Sequence, residues 1–149
     1  MAYYTIHNKG VNWRREELVA AGTITPGMLC EVTTDGKVRA HSVEGGRAER
    51  LVAIEDVLQG KGVDTNYSAS DLVSLAVMEP GSVWNLLVAS GQSGSPGNAV
   101  ISAGNGKVKC ASAATSAAVI KDVIGYIDAS EPTFTTLGAD TLKAIRIST

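Results

Sequence analysis

Thr25-Pro26-Gly27-Met28-Leu29-Cys30-Glu31-Val32-Thr33-Thr34-Asp35-Gly36-Lys37-Val38-Arg39 comes back seventy positions on as Ser95-Pro96-Gly97-Asn98-Ala99-Val100-Ile101-Ser102-Ala103-Gly104-Asn105-Gly106-Lys107-Val108-Lys109. Both copies keep the Pro-Gly, the Asp/Asn-Gly-Lys-Val-Arg/Lys and the distance between them. Proline sets φ and glycine accepts the positive φ of a type II turn, so each Pro-Gly opens a strand. Asp35-Gly36 and Asn105-Gly106 are hairpin signals whose loop length Thr34 and Gly104 leave open. In the first copy Met28, Cys30 and Val32 point one way and Glu31 and Thr33 the other, and after the turn Val38 and Ala40 alternate with Lys37, Arg39 and His41. In the second copy Val100, Val108 and Cys110 do the same. Period two with one dry face predicts a sheet packed on a core. Either the hairpin is a true internal repeat or two Pro-Gly hairpins arose independently in a glycine-rich β chain.

Working outward, residues 51–54, 71–78, 83–89, 119–127 and 142–147 read as further short strands with polar or glycine-rich turns between them. Residues 13–21 admit two readings. Asn12 and Gly22 would bracket a short helix, but Arg14 and Arg15 in its first turn oppose the helix dipole, and a strand through residues 17–20 fits as well. Residues 55–70 form a long connection of the kind that is functional or ordered by a partner. Residues 111–118 are a loose loop or a short Ala-rich helix. Eight to ten short strands give an all-β barrel or sandwich with long loops. Residues 1–12 are an extended arm, or else a first strand of the sheet, and residues 13–149 are a single β domain.

Composition narrows the function. A chain of 149 residues with net charge −2 and few clustered cations does not track phosphates, which speaks against nucleic acid. No stretch reaches the ~20 apolar residues of a membrane span, and no signal peptide opens the chain, which places it in the cytoplasm or free after lysis. Cys30 and Cys110 read as buried free thiols, without a disulfide, and His7 and His41 stand too far from them in sequence for a metal site.

No catalytic set and no cofactor motif emerges. Gly91-Gln92-Ser93-Gly94-Ser95 lacks the register of a nucleophile elbow, and Ser93, His41 and Asp64 are the only trio that can be assembled. Glu55-Asp56, and Asp64 with Asp71, read as solvated loop charges. Trp84, Tyr67 and Tyr126 offer rings for a glycan-binding module, the alternative class of function; Trp84 reads equally as an anchor of the core.

The order of these turns resembles the capsid decoration, or cement, proteins of tailed bacteriophages. The resemblance runs through Gly22-Thr23-Ile24-Thr25-Pro26-Gly27 to Val32, Asp35 to Arg39, Leu51 to Asp56, Gly60-Lys61-Gly62-Val63-Asp64, Tyr67, Asp71-Leu72-Val73, Pro80-Gly81-Ser82-Val83 and the second hairpin, covering roughly residues 18–130. It implies a small β-barrel-like virion protein on the outer capsid surface, made in the host cytoplasm, that ties major capsid proteins together. It further implies self-association, as a homotrimer or in some relatives a dimer, and an N-terminal arm reaching onto the shell. Tyr3, Tyr4, Ile6 and Trp13 would anchor that arm, with His7, Arg14 and Arg15 as further contacts with the capsid or a second subunit.

Overall fold

The computed structural model describes residues 5–11, 13–111 and 122–148. Eleven strands make up the described chain: β1 (His7–Lys9), β2 (Arg14–Val19), β3 (Cys30–Val32), β4 (Val38–Ala40), β5 (Leu51–Ala53), β6 (Leu72–Val77), β7 (Val83–Val88), β8 (Ala99–Gly104), β9 (Lys107–Cys110), β10 (Val123–Ile127) and β11 (Thr141–Ile147). One 3₁₀ turn, Val57–Gln59, interrupts the long connection after β5. The chain is all-β, as its alternation predicts.

β7, β11, β10, β8 and β9 close a five-stranded barrel, shut by a parallel contact between Val88 and Val108. The preceding half repeats this plan. There β2–β6–β5 is one sheet and β3–β4 a hairpin; the Leu29–Val52 bridge joins β3 to β5, and a parallel Ala20–Val38 bridge joins β4 to β2.

The two halves match bond for bond. Gly27 N donates to Ala53 O and Ala53 N to Met28 O; Gly97 N donates to Ile127 O and Ile127 N to Asn98 O. Ile24 and Tyr67 exchange a pair of bonds, and so do Gly94 and Phe134. Ile54 N reaches Ser74 O as Asp128 N reaches Ala144 O, and His41 N reaches Leu29 O as Ala111 N reaches Ala99 O. Cross-strand pairs correspond likewise, Cys30–Ala40 to Val100–Cys110 and Val32–Val38 to Ser102–Val108. A register held across five strands is not what two independent hairpins produce. The repeat is genuine, and it extends well beyond the hairpin that signals it in the sequence.

The turn chemistry explains why both copies fold alike. Gly27 and Gly97 have φ of 93° and 86°, and Met28 N and Asn98 N close the turns onto Thr25 O and Ser95 O, the type II geometry expected. The hairpin tips differ. Asn105 and Gly106 are both left-handed, as a two-residue type I′ turn requires, whereas only Gly36 is left-handed in the longer first loop.

Equivalent residues fill the two barrels. Ala20, Cys30, Val38, Ala53, Tyr67 and Leu75 pack inside the first, and Val88, Val100, Val108, Ile127, Phe134 and Ile145 inside the second. Leu29, Val52, Ile54, Ala76 and Met78 leave the first barrel to join the second cluster. β6 is therefore buried on both faces, and the halves share one interface. Val32, on the apolar register of its strand, is nevertheless 42% exposed at the hairpin tip.

Residues 13–21 resolve as the strand β2. The Ala-rich run, apart from Ala111, lies outside the described residues, as do residues 119–121 of the strand expected at 119–127. Both cysteines are free, but only Cys30 is fully buried, Cys110 being half-buried, and burial pushes the Cys30 thiol up to about 12.

Candidate functional site

Of the candidate contact residues, Tyr3 and Tyr4 lie outside the described residues. Ile6 is fully buried in the core of the second barrel. β1 then pairs antiparallel with β7 through His7–Trp84 and Lys9–Val83. Its seat is polar and specific. Ile6 N donates to Glu55 Oε2 at 3.0 Å and Thr5 Oγ1 to the other oxygen of the same carboxylate. Asn85 N donates to Ile6 O, Asn85 Nδ2 to Thr5 O, and Asn8 Nδ2 to Asn85 Oδ1. Lys9 Nζ stands 3.4 Å from Asp128.

Glu55, Asn85 and Asp128 are thus the residues that hold the N-terminal strand, and the sequence reading missed them. Glu55 and Asp56 are buried, not solvated: Glu55 binds the strand, and Asp56 accepts from Gln59 N at the 3₁₀ turn. The available signal was a carboxylate directly after an apolar strand, Ile54-Glu55 and Ile127-Asp128, although the two fall one position apart in the aligned copies.

Burial alone would raise the Asp128 carboxyl, but the Ser130 hydroxyl and N–H, the Arg146 guanidinium and Lys9 outweigh it and hold the group far below the usual carboxylate range. A carboxyl depressed on folding stabilises the fold fully above its unfolded value near ~3.9 and loses that contribution as pH falls toward the folded value. Asp128→Asn should therefore cost about 2 kcal/mol at neutral pH. Urea unfolding of both proteins as the pH is lowered from about 7 to 2.5 should show the gap narrowing; a gap independent of pH would contradict this assignment.

The aromatic candidates come together. The His7 ring lies 4.8 Å from Trp84 and 5.6 Å from Trp13, and Trp13 meets Trp84 edge-on at 5.5 Å. Beside them opens a cleft of about 520 Å³ lined by Gly10, Val11, Trp13, Glu79, Pro80, Gly81 and Ser82. Arg14 and Arg15 stand apart from it on exposed β2, where Arg14 pairs with Glu16 at 2.7 Å and Arg15 reaches Glu17 at 3.3 Å and Ser74 Oγ at 2.9 Å.

A second cleft of about 570 Å³ lies over the seam between the halves, lined by Pro26, Met28, Asp64, Leu87, Lys107 and Leu142 among others. Two of its charges pair: Lys107 binds Asp140 at 2.7 Å and holds that carboxyl below its ordinary value, while Asp64 is exposed.

The trio Ser93, His41 and Asp64 does not assemble. Ser93 Oγ accepts from Thr136 N, the buried His41 is fixed between Ser102 Oγ and Arg47 O, and Asp64 is exposed on the long connection. Trp84 and Tyr67 are buried, leaving Tyr126 alone of the three proposed sugar-stacking rings with an exposed face. Among the described residues no group of three or more His, Cys, Asp or Glu is placed to hold a metal, and no helix is long and apolar enough to cross a membrane. What the geometry offers is surface: an anchored terminal strand and an aromatic cleft.

No family model matches the chain, and no curated protein does. Its fold is similar to that of the head fiber gp8.5 N base of bacteriophage phi29. The likeness has a TM-score of 0.56 at 13% identity and covers 92% of this chain and 95% of that one. Coverage of that extent takes in both barrels, so the tandem plan itself is shared. At this identity the likeness to the phi29 protein is one of fold.

Proposed function

We propose that the chain is a structural protein of a tailed-phage head: a decoration protein that binds the outer surface of the assembled shell and stabilises it by linking neighbouring major capsid proteins. The observation that carries this is the likeness, over nearly the whole of both chains, to the base of a head fiber. The ordered turn motifs from Gly22 to Lys109 support it independently. So does a surface whose features are suited to contact rather than to chemistry.

In this reading the protein acts as a self-associated unit, a homotrimer or a dimer, and repeats modest contacts many times around a symmetric shell, where multivalency makes weak sites hold. Ile6 and His7 fix the N-terminal strand to the second barrel. The Trp13 cleft, with Val11 standing 91% exposed at its rim, is then free for the shell, and Tyr3 and Tyr4, outside the described residues, would be further contacts. Expanded heads lacking decoration, titrated with purified protein, should show saturable binding and rupture at a higher temperature. Absence of binding at micromolar concentration would overturn the proposal.

A further inference from the structure

The internal repeat sets two sheet edges side by side for comparison. Ser74 turns its carbonyl to β5, so Val73, Leu75 and Val77 bond β2 through Leu18, Glu16 and Arg14, and the N–H and C=O of Arg15, Glu17 and Val19 point away from the sheet. Since the Ala20–Val38 contact corresponds to Val88–Val108, those residues correspond to Val83, Asn85 and Leu87 of β7. In β7 that edge is covered: Val83 pairs with Lys9 of β1, Asn85 N donates to Ile6 O, and Leu87 N donates to Gly27 O. In β2 it is bare. Among the described residues no backbone hydrogen bond outside the β2–β6 ladder involves residues 14–19.

The covered edge shows that a barrel of this plan accepts an antiparallel strand at these positions. The order of charges says which strand suits the bare one. Edge strands carry charge to keep other chains away, but Arg15 and Glu17, the charged residues whose backbone faces the edge, are complementary when β2 is read against itself in the antiparallel sense. Outward-facing residues can only oppose outward-facing residues. In the register centred on Glu16, Arg15 of each copy faces Glu17 of the other twice over, while the two Glu16 side chains meet across the axis, each offset by the Arg14 of its own strand, which it holds at 2.7 Å. Val19 and its cross-strand neighbour Leu72, 39% and 55% exposed, flank the same edge.

We propose that two copies of the chain pair edge to edge through β2, antiparallel about a two-fold axis, with Arg15 of each opposite Glu17 of the other. The occupant of the bare edge is the same strand of a second copy, which continues β6–β2 into one sheet across the dimer. Of the two assemblies the resemblance implies, this selects the dimer, and it stands whether or not the protein binds a capsid.

Light scattering behind a sizing column, at micromolar concentration, should give about twice the 15.4 kDa chain mass. Arg15→Glu and Glu17→Arg each place like charges at both contacts and should weaken pairing about a hundredfold, leaving monomers. Mixed together, the two variants set a strand with glutamate at both positions against a strand with arginine at both, so they should recover the dimer mass as a heterodimer; that recovery also shows both are folded. A monomeric or trimeric wild type would overturn the proposal, as would dimers that persist in each single variant or fail to return on mixing. Titration of heads with the same proteins is read separately, so failure of the seam and failure of the decoration reading are distinct results.

Discussion

Trp84→Ala should lose about 4 kcal/mol of stability, a large part of what a domain of this size holds. Trp84 has no exposed surface, and it is the largest side chain in the second barrel's cluster. Its ring meets both His7 and Trp13, which also touch each other, and its Nε1 donates to Ser82 Oγ at 2.7 Å. Alanine opens a cavity beneath β1 and leaves both neighbouring rings without their common partner. The effect should be largest where β1 is seated, so amide exchange at residues 6–9 should speed up more than at β8–β9. Urea midpoints for wild type, Trp84→Ala and Trp84→Phe measure it. Phenylalanine retains most of the ring contact and forfeits the hydrogen bond, so its cost should be about 1–2 kcal/mol. A loss below about 1 kcal/mol in the alanine variant would mean that the aromatic cluster is not what secures the terminal strand.

That strand shows where the sequence could and could not be read. The two Pro-Gly hairpins were legible because turn chemistry is local: Gly27 and Gly97 adopt the positive φ their neighbours require. The alternation of the later strands was legible for the same kind of reason. β2 was not, since its order Arg14-Arg15-Glu16-Glu17 pairs charges at neighbouring positions and follows neither period. It is a strand because β6 offers it six paired positions, from Arg14–Val77 to Val19–Leu72, a long-range fact absent from the segment itself.

The site followed the same division. His7, Trp13 and Ile6 attract notice as aromatic or apolar residues near a terminus, and they do meet or pack about Trp84. Glu55 and Asn85 do not attract notice, because their value lies in reaching Ile6 and Thr5 across a gap of many residues. Burial of Glu55 and Asp56 could not be inferred from a loop composition rich in Gly, Lys and Asp. The duplication was visible only in its hairpins because the two halves share a hydrogen-bond register rather than residues. Phe134 stands where the first half has Tyr67 and Ile145 where it has Leu75, while the backbone bonds around them are the same.

Gly94 gives that argument its sharpest test. It occupies the place of the fully buried Ile24, and Ile127 occupies the place of Ala53, so the bulk has moved from one strand to the other. A Cβ at residue 94 would lie 2.5 Å from Ile127 Cδ1 and 2.8 Å from both Cys110 Sγ and Phe134 Cζ. Gly94→Ile should therefore cost about 3 kcal/mol or more through overpacking, and Ile127→Ala about 3 kcal/mol through the cavity it leaves. Together they restore the first barrel's arrangement. The double variant should be more stable than either additive expectation or Gly94→Ile alone, with a coupling of about 2 kcal/mol or more. Cys110 stands where the first barrel has Ala40, so adding Cys110→Ala should remove the remaining close contact and recover more. Denaturant unfolding of the full cycle decides it: simple additivity of the two losses would mean that the barrels share a backbone plan without sharing a packing scheme, whereas recovery would show that the second core is the first with its large and small residues exchanged.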